Sequence, residues 1–474
     1  MTLDEHFTGW KVISEQILRH GYCCGCGVCA GMCPKKALRM QFNEDGEYRP
    51  FLVDSCNRCG LCINVCPFID ENANEDELSM QQYGNVQSIR YKEAAGYYLK
   101  AYVGSVKEES QRTKSASGGL TTWLLGRLFS LNKIDYAICV SPNESSEQMF
   151  VYTVCKNENE IHRCRGSCYY PVTTQDVLRF VKENEGRFAF VGLPCVCKAI
   201  RLAQLRSQTL KYRITYLIGL VCGQTKSKFF VEYICALAGN DPKKLSKVEF
   251  RIKDERKPAN DFGLKCICSD IDGKSREGII FWRQGMKEVW SERYFTPKAC
   301  NYCDDIFAEC ADITFMDAWL PEYRQDWRGH SISLCREKGV SEMIDKDYDR
   351  LNIREISIEK VIKSQSGVIK WKMHDLSYRL FRALSDDKVV PKKRVEPSKS
   401  QTHILNKWHI GIFEEISRLS PKYWLNSNKN IFRYHILMRP LQNKIAVIKN
   451  VYAVLRYPIL LRSLIKNKYR FKRS

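Results

Sequence analysis

The chain has 474 residues and a formal net charge of +21, with 44% apolar and 27% charged residues. At roughly 150 residues per domain this length accommodates about three domains, and the composition excludes collagen-like and largely disordered classes. The 23 cysteines fall in short C-x-x-C steps rather than being spread as the disulfide framework of a small secreted protein, which points to metal ligation in a reducing compartment.

In chain order, residues 1–20 read as a short leading helix. Asp4, Glu5 and Glu15 break any basic-then-apolar export pattern, so a cytoplasmic location is expected. The first domain, residues 1–70, holds nine of the cysteines. Cys23, Cys26, Cys29 and Cys33 before Pro34 read C-x2-C-x2-C-x3-C-P, and Cys56, Cys59, Cys62 and Cys66 before Pro67 repeat the run. Three thiolates on one tight loop grip one cubane, while the fourth cysteine, redirected by the proline, reaches the other. The runs therefore predict two 4Fe-4S clusters, one on Cys23, Cys26, Cys29 and Cys66, the other on Cys56, Cys59, Cys62 and Cys33. Gly25, Gly27 and Gly60 let the backbone approach the sulfurs. The competing reading is a zinc ribbon, and Cys24 has no place in the scheme. A fragment 1–70 is expected to hold about eight irons by itself.

Residues 71–95 read as a polar, acidic linker. From 96 to 340, apolar runs alternate with helical patterns: strands at Tyr97–Val103, Ile134–Val140, Phe150–Val154, Phe188–Val191 and Ile214–Val221, and helices at Gly118–Leu131, Gln175–Asn184 and Cys195–Leu205. This alternation predicts an α/β core with a parallel or mixed sheet. Residues 341–474 read as a helical, basic region. From Gln401 onward fifteen Lys and Arg oppose only Glu414 and Glu415, and Ile445, Ile448, Val451 and Leu455 recur at helical spacing beside Lys444, Lys449 and Arg456. The chain ends with Lys466, Lys468, Arg470, Lys472 and Arg473. That pattern predicts peripheral association with an anionic surface, a membrane or an acidic partner; the competing reading is a helical cap on the core. Lys449, Arg456, Pro458 and Arg462 interrupt the most apolar stretch, so no spanning helix is expected.

Six segments behind the cysteine runs resemble, in order, the family of coenzyme F420 hydrogenase and dehydrogenase beta subunits, and the first domain resembles the bacterial dicluster ferredoxin. Ser115-Ala116-Ser117-Gly118-Gly119 looks like the family's S-x-S-G-G turn, Arg165-Gly166-Ser167-Cys168-Tyr169 its K-G-S-K-Y segment, and Gly192-Leu193-Pro194-Cys195 its G-T-P-C. Gly219-Leu220-Val221-Cys222-Gly223 resembles its D-L-V-C-H-G strand end, Phe250-Arg251-Ile252-Lys253 its F-R-x-K, and Cys300-Asn301-Tyr302-Cys303 with Ala311-Asp312-Ile313 its C-x-x-C before A-D-I. Cys168, Leu193 and Gly223 depart from the family's lysine, threonine and histidine. They fall beside the expected cofactors, which leaves a flavin expected and sets the deazaflavin substrate apart.

The resemblance implies an α+β ferredoxin-like dicluster domain followed by an α/β flavin-binding core, an oxidoreductase holding FAD or FMN. Ser115, Ser117, Gly118 and Gly119 would cradle a flavin phosphate at a helix N-terminus, or merely cap the helix. Arg165, Lys198 and Lys253 would pair with its anionic groups, or stand as solvated cations. A third 4Fe-4S cluster is expected on Cys195, Cys222, Cys300 and Cys303. The first two follow neighbouring strands at the carboxyl edge of the sheet, with Cys310 as a rival ligand. The other core cysteines read as small buried apolar residues.

The expected function is electron exchange among the clusters, the flavin and a small-molecule substrate, with a redox partner protein or small electron carrier at the other end. A non-catalytic electron-transfer subunit is the alternative. No phosphate loop, Rossmann glycine motif, hydrolase motif or nucleic-acid partner is indicated.

Overall fold

The computed structural model describes residues 9–143, 145, 147–269, 274–400 and 402–470, with backbone alone over 455–470. Its centre is an eight-stranded mixed sheet in the order Leu351–Glu355, Lys100–Val106, Ser331–Cys335, Ile313–Asp317, Ile214–Leu220, Phe188–Gly192, Tyr136–Pro142 and Phe150–Cys155. The four strands from Ile313–Asp317 to Tyr136–Pro142 are parallel, and the other pairings are antiparallel. Both faces are covered, which is why Phe188–Gly192 is buried along its whole length and reads as one apolar run. Phe188 and Phe190 pack on the side of helices Gln175–Glu183 and Pro194–Arg206, while Ala189 and Val191 pack on the side of helix Leu120–Ser130, the period of two that a strand imposes.

A second antiparallel sheet, Leu245–Ile252, Gly263–Ser269 and Ser275–Phe281, stands against helix Phe229–Leu237. The C-terminal helices Ile404–Asn426 and Ile431–Arg470 close over the same apolar cluster through Trp424, Tyr434, Met438, Leu441 and Ile445.

Residues 9–70 form short helices, Val28–Met32 and Leu61–Asn64, and a hairpin of Leu38–Phe42 with Tyr48–Leu52. This unit is pressed against the core. A side chain at Gly31 would meet Leu178 and the Gln175 carbonyl within 3.0 Å, so helix Val28–Met32 lies on helix Gln175–Glu183 with no room between them.

Three expectations are corrected. The stretch 71–95 is not a plain linker: Asn74 and Glu77 form a capping box that starts helix Glu75–Tyr83, and Tyr83 is buried against the core. The core sheet does not stop at residue 340, because Leu351–Glu355 supplies its edge strand. The stripe expected to face an anionic surface is instead interior at Ile445 and Ile448, packing against the core as the cap reading required. Leu455, Arg456, Lys466, Lys468 and Arg470 have no described side chains, and Asp4, Glu5, Lys472 and Arg473 lie outside the described residues. Among the described residues no helix is long and apolar enough to cross a membrane.

Candidate redox site

Strands Phe188–Gly192 and Ile214–Leu220 run parallel with Gly192 paired to Gly219, and three residues beyond each glycine comes a cysteine. Cys195 enters helix Pro194–Arg206 at its first turn, and Cys222 is fixed by its N–H to the Ile306 carbonyl, 3.2 Å. Gly219 has a packing reason: a Cβ there would collide with Ala308 and Ala311, so its absence lets the 300–311 segment lie directly on the strand end. That segment delivers Cys300, held by the Thr225 hydroxyl at 3.3 Å and the Thr225 N–H at 3.4 Å, and Cys303, which accepts from Lys372 Nζ at 3.1 Å.

These four thiols share one electrostatic neighbourhood. Burial and the nearby Cys300 and Cys303 thiols push Cys222 up to about 12, with Lys372 opposing them, and Cys195 is raised chiefly by Cys24, then burial, with Cys303 and Cys222 adding to it. Cys310 lies apart. Its thiol, raised by burial, faces Glu75, Asp305, Lys198 and Arg201 rather than the four.

The N-terminal cysteines act on one another across their runs. Cys29 is raised by burial and by Cys23 and Cys66, whereas Cys62, pushed up to about 12 by burial, faces Cys56, Cys59 and Cys33. Cys29 also feels Cys62, so the thiols of the two runs lie within electrostatic reach of one another. Left-handed Gly27 and Gly60, φ 80° and 71°, turn the chain into the two short helices. Among the described residues no three Cys, His, Asp or Glu side chains converge as ligands to a single metal ion. Cys24 is not the bystander that its position in the run suggested. Its thiol lies in the neighbourhood of those of Cys195 and Cys26, which hold its pKa below the usual thiol value, so N-terminal and core thiols share one electrostatic environment.

A cavity of about 1030 Å³ opens beside Cys222. Ser115, Ser117, Gly119, Arg165, Lys253 and the first turn of helix Leu120–Ser130 line it, together with Arg251, Trp282, Trp290 and Trp319. That helix has left-handed Gly119 at its cap and no side-chain cap bond, so its free N–H groups present a partial positive charge to the cavity. The buried Arg165 Nε and Asn260 Oδ1 also lack hydrogen-bond partners. A large, aromatic-lined space with cations and uncapped amides fits a planar ring system carrying an anionic tail.

Other expected residues have different work. Gly118 donates its N–H to Ser331 Oγ at 3.0 Å and packs against the sheet. Ser115 and Ser117 donate their hydroxyls to the Gln111 and His330 carbonyls, both at 2.7 Å. Lys198 does not line the cavity and is buried in an ion pair with Glu75 at 3.2 Å, because its helix face turns toward the Glu75–Tyr83 helix. Several of the cysteines read as inert fillers touch each other: Cys155 and Cys164 lie 3.6 Å apart, and Cys235 and Cys268 3.4 Å apart.

Arg251 has a role that its F-R-x-K segment does not announce. It occupies a bulge between Phe250 and Ile252 in the left-handed region, φ 61°. This conformation is costly for a side-chain-bearing residue and aims the guanidinium at Asp317, 2.8 Å, and the Tyr169 hydroxyl, 2.7 Å, with the Phe262 ring at 3.8 Å. No letter of the segment marks the bulge.

Lys253 donates to the Arg112, Ser117 and Arg328 carbonyls at 2.8, 3.2 and 2.5 Å. Burial, with Arg112 alongside, pushes its pKa down to about 7. It therefore gains its charge as pH falls through 7, and an anion in the cavity is expected to bind about tenfold more tightly at pH 6 than at pH 8. Titration with FAD, whose pyrophosphate keeps a constant charge over that range while a phosphate monoester would itself titrate at about pH 6, checks this, and Lys253→Met should flatten the dependence.

Residues 101–179 match the N-terminal family model of the coenzyme F420 hydrogenase/dehydrogenase beta subunit, and residues 185–360 match the C-terminal one. The chain belongs to the family of coenzyme F420 hydrogenase/dehydrogenase beta subunits. This family member is 26% identical over 215 residues to the F subunit of F(420)H(2) dehydrogenase from Methanosarcina mazei, covering 44% of this chain and 55% of the relative. It is 27% identical over 348 residues to the coenzyme F420-dependent sulfite reductase of Methanocaldococcus jannaschii, covering 70% of this chain and 46% of the relative. The chain thus spans about half the length of these two relatives. Its cysteine-rich part is similar to an uncharacterized ferredoxin of Methanocaldococcus jannaschii, 38% identical over 53 residues, 11% of this chain and 69% of that protein.

Proposed function

We propose that this member of the beta subunits' family is an iron-sulfur oxidoreductase. It would carry single electrons between a redox partner protein or small electron carrier at its surface and a flavin, FAD or FMN, held in the cavity beside a small-molecule substrate, a deazaflavin or a sugar-pathway or other unsaturated molecule. Two 4Fe-4S clusters would sit on Cys23, Cys26, Cys29 and Cys66 and on Cys56, Cys59, Cys62 and Cys33, with a third on Cys195, Cys222, Cys300 and Cys303.

The observation that carries this reading is the continuity of thiols. Cys222 lines the cavity, Cys24 shares an electrostatic neighbourhood with Cys195 and Cys26, Cys29 with Cys62, and Cys59 is exposed to solvent. Electrons thus have a stepwise route from a buried site to the surface, and the exposed Cys59 end is where a carrier would dock.

When bound, the flavin would supply the exchange of an electron pair with the substrate for single electrons. The chain's own residues would bind and orient it: Arg165, Lys253 and the amides after Gly119 would hold anionic groups, Arg251 and the tryptophans would line the space for a planar ring, and Gly118 keeps the turn on the sheet. The M. mazei relative is named as a subunit, which favours a second reading, a subunit that passes electrons to a partner enzyme without chemistry of its own.

Anaerobic purification should yield about twelve irons and one flavin per chain. Bleaching of that flavin by reduced deazaflavin with no partner present supports catalysis. Full iron with no flavin favours the second reading, and a colourless zinc protein rejects both.

A further inference from the structure

Lys372 belongs to the helical turn Lys370–His374, beyond residue 360 where the family match ends. It is 1% exposed, yet its Nζ lies 3.1 Å from Cys303 Sγ and 2.6 Å from the Asp305 carbonyl. Cys303 is the largest of the charges that act on it, followed by Cys222 and Cys300. Arg293 also carries its charge near Cys300, Cys222 and Cys303, but the hydrogen bonds of the neighbouring arginines go to groups other than sulfur. Arg293 reaches the Asn301 side chain at 2.9 Å and the Cys300 carbonyl at 3.4 Å, and Arg379 the Asn301 and Trp371 carbonyls at 2.9 and 2.7 Å. Lys372 is therefore a buried ammonium aimed at a sulfur of the core four-cysteine site.

We propose that Lys372 sets the reduction potential of the core cluster, acting as a positioning charge supplied by the C-terminal region. The proposal rests on the reading that Cys195, Cys222, Cys300 and Cys303 hold a 4Fe-4S cluster. The step it acts on is the gain of one electron by that cluster, with no bond made or broken and no proton leaving Nζ. The added negative charge is stabilised by a fixed cation a few ångströms away in a medium of low dielectric, and net charge and hydrogen bonds to sulfur are two of the levers that set such potentials. The sign follows: the ammonium favours the reduced state and raises the potential.

The test is a dithionite titration of the full-length, cluster-loaded protein followed by electron paramagnetic resonance, alongside iron analysis. Lys372→Gln is expected to keep about twelve irons and to weaken reduction of the core cluster by at least about tenfold, 59 mV for a one-electron couple. The two ferredoxin-like clusters should be unmoved, and Lys372→Arg should lie close to wild type. Full iron with an unshifted core potential in Lys372→Gln overturns the proposal. If Lys372→Gln loses the core irons, Lys372→Arg decides: retention at wild-type potential supports a role for charge, and loss in both variants shows that the lysine only packs. Wild-type protein with only about eight irons would reject the core cluster itself, which is a distinct failure.

Discussion

Replacing Cys300 with Ser is expected to remove about four of about twelve irons while the N-terminal cysteines keep about eight. Cys300 is the thiol held from two directions by Thr225, and it comes from a segment seated on the strand ends that present Cys195 and Cys222. A serine leaves that seating intact, so loss of iron reports ligation rather than unfolding. Cys195→Ser should have the same effect from the sheet side. With the middle station gone, reduction of the N-terminal clusters from the cavity side should stop while flavin stays bound, since the cavity's cations and amides are untouched. Iron analysis with stopped-flow absorbance checks both parts. Full iron in both variants would remove the core site from the route. Cys310→Ser should lose no iron, because its thiol faces Glu75 and Arg201 instead.

Asp312→Ala is expected to destabilise the protein by about 3–5 kcal/mol. One carboxylate oxygen accepts from Arg201 Nη2 at 2.7 Å and the Tyr83 hydroxyl at 2.9 Å, and the other from the Leu217 N–H at 2.7 Å. Arg201 and Asp312 are both buried, so removing the carboxylate strands a guanidinium in the interior, which costs far more than an exposed ion pair contributes. Tyr83 ends the helix Glu75–Tyr83, and the same change should loosen that helix from the core. Urea unfolding monitored by tryptophan fluorescence, with protease sensitivity near residue 83, measures both effects. The double variant Arg201→Leu, Asp312→Leu should recover much of the loss, because it leaves no unpaired buried charge. Equal loss in the single and double variants would show that the pair acts by shape alone.

Some of this was legible in the residues because the information is local. The two C-x2-C-x2-C-x3-C-P runs announced two four-cysteine ligand sets, because the spacing of ligands on one tight loop is a property of neighbouring residues. The strands from Tyr136 to Leu220 were readable because short apolar, β-branched and aromatic runs mark them, Phe188–Gly192 most clearly since it is buried throughout, and their observed limits lie within a few residues of the expected ones. Helix Glu75–Tyr83 was missed because its polar composition resembles a linker, whereas its stability comes from a capping box and from Tyr83 reaching Asp312 across 229 positions of sequence.

By itself, then, the order of residues determined the cysteine runs, the alternating core and the basic end, since spacing and periodicity are properties of neighbouring residues. Only the tertiary structure decided that Cys24 lies between two thiol groups, that Lys198 serves Glu75 rather than the cavity, that Arg251 turns inward at a bulge, and that Ile445 and Ile448 cap the core. Each of these depends on which distant segment packs against a given face. That choice is made by the burial of surfaces far apart in the chain, which no local pattern records.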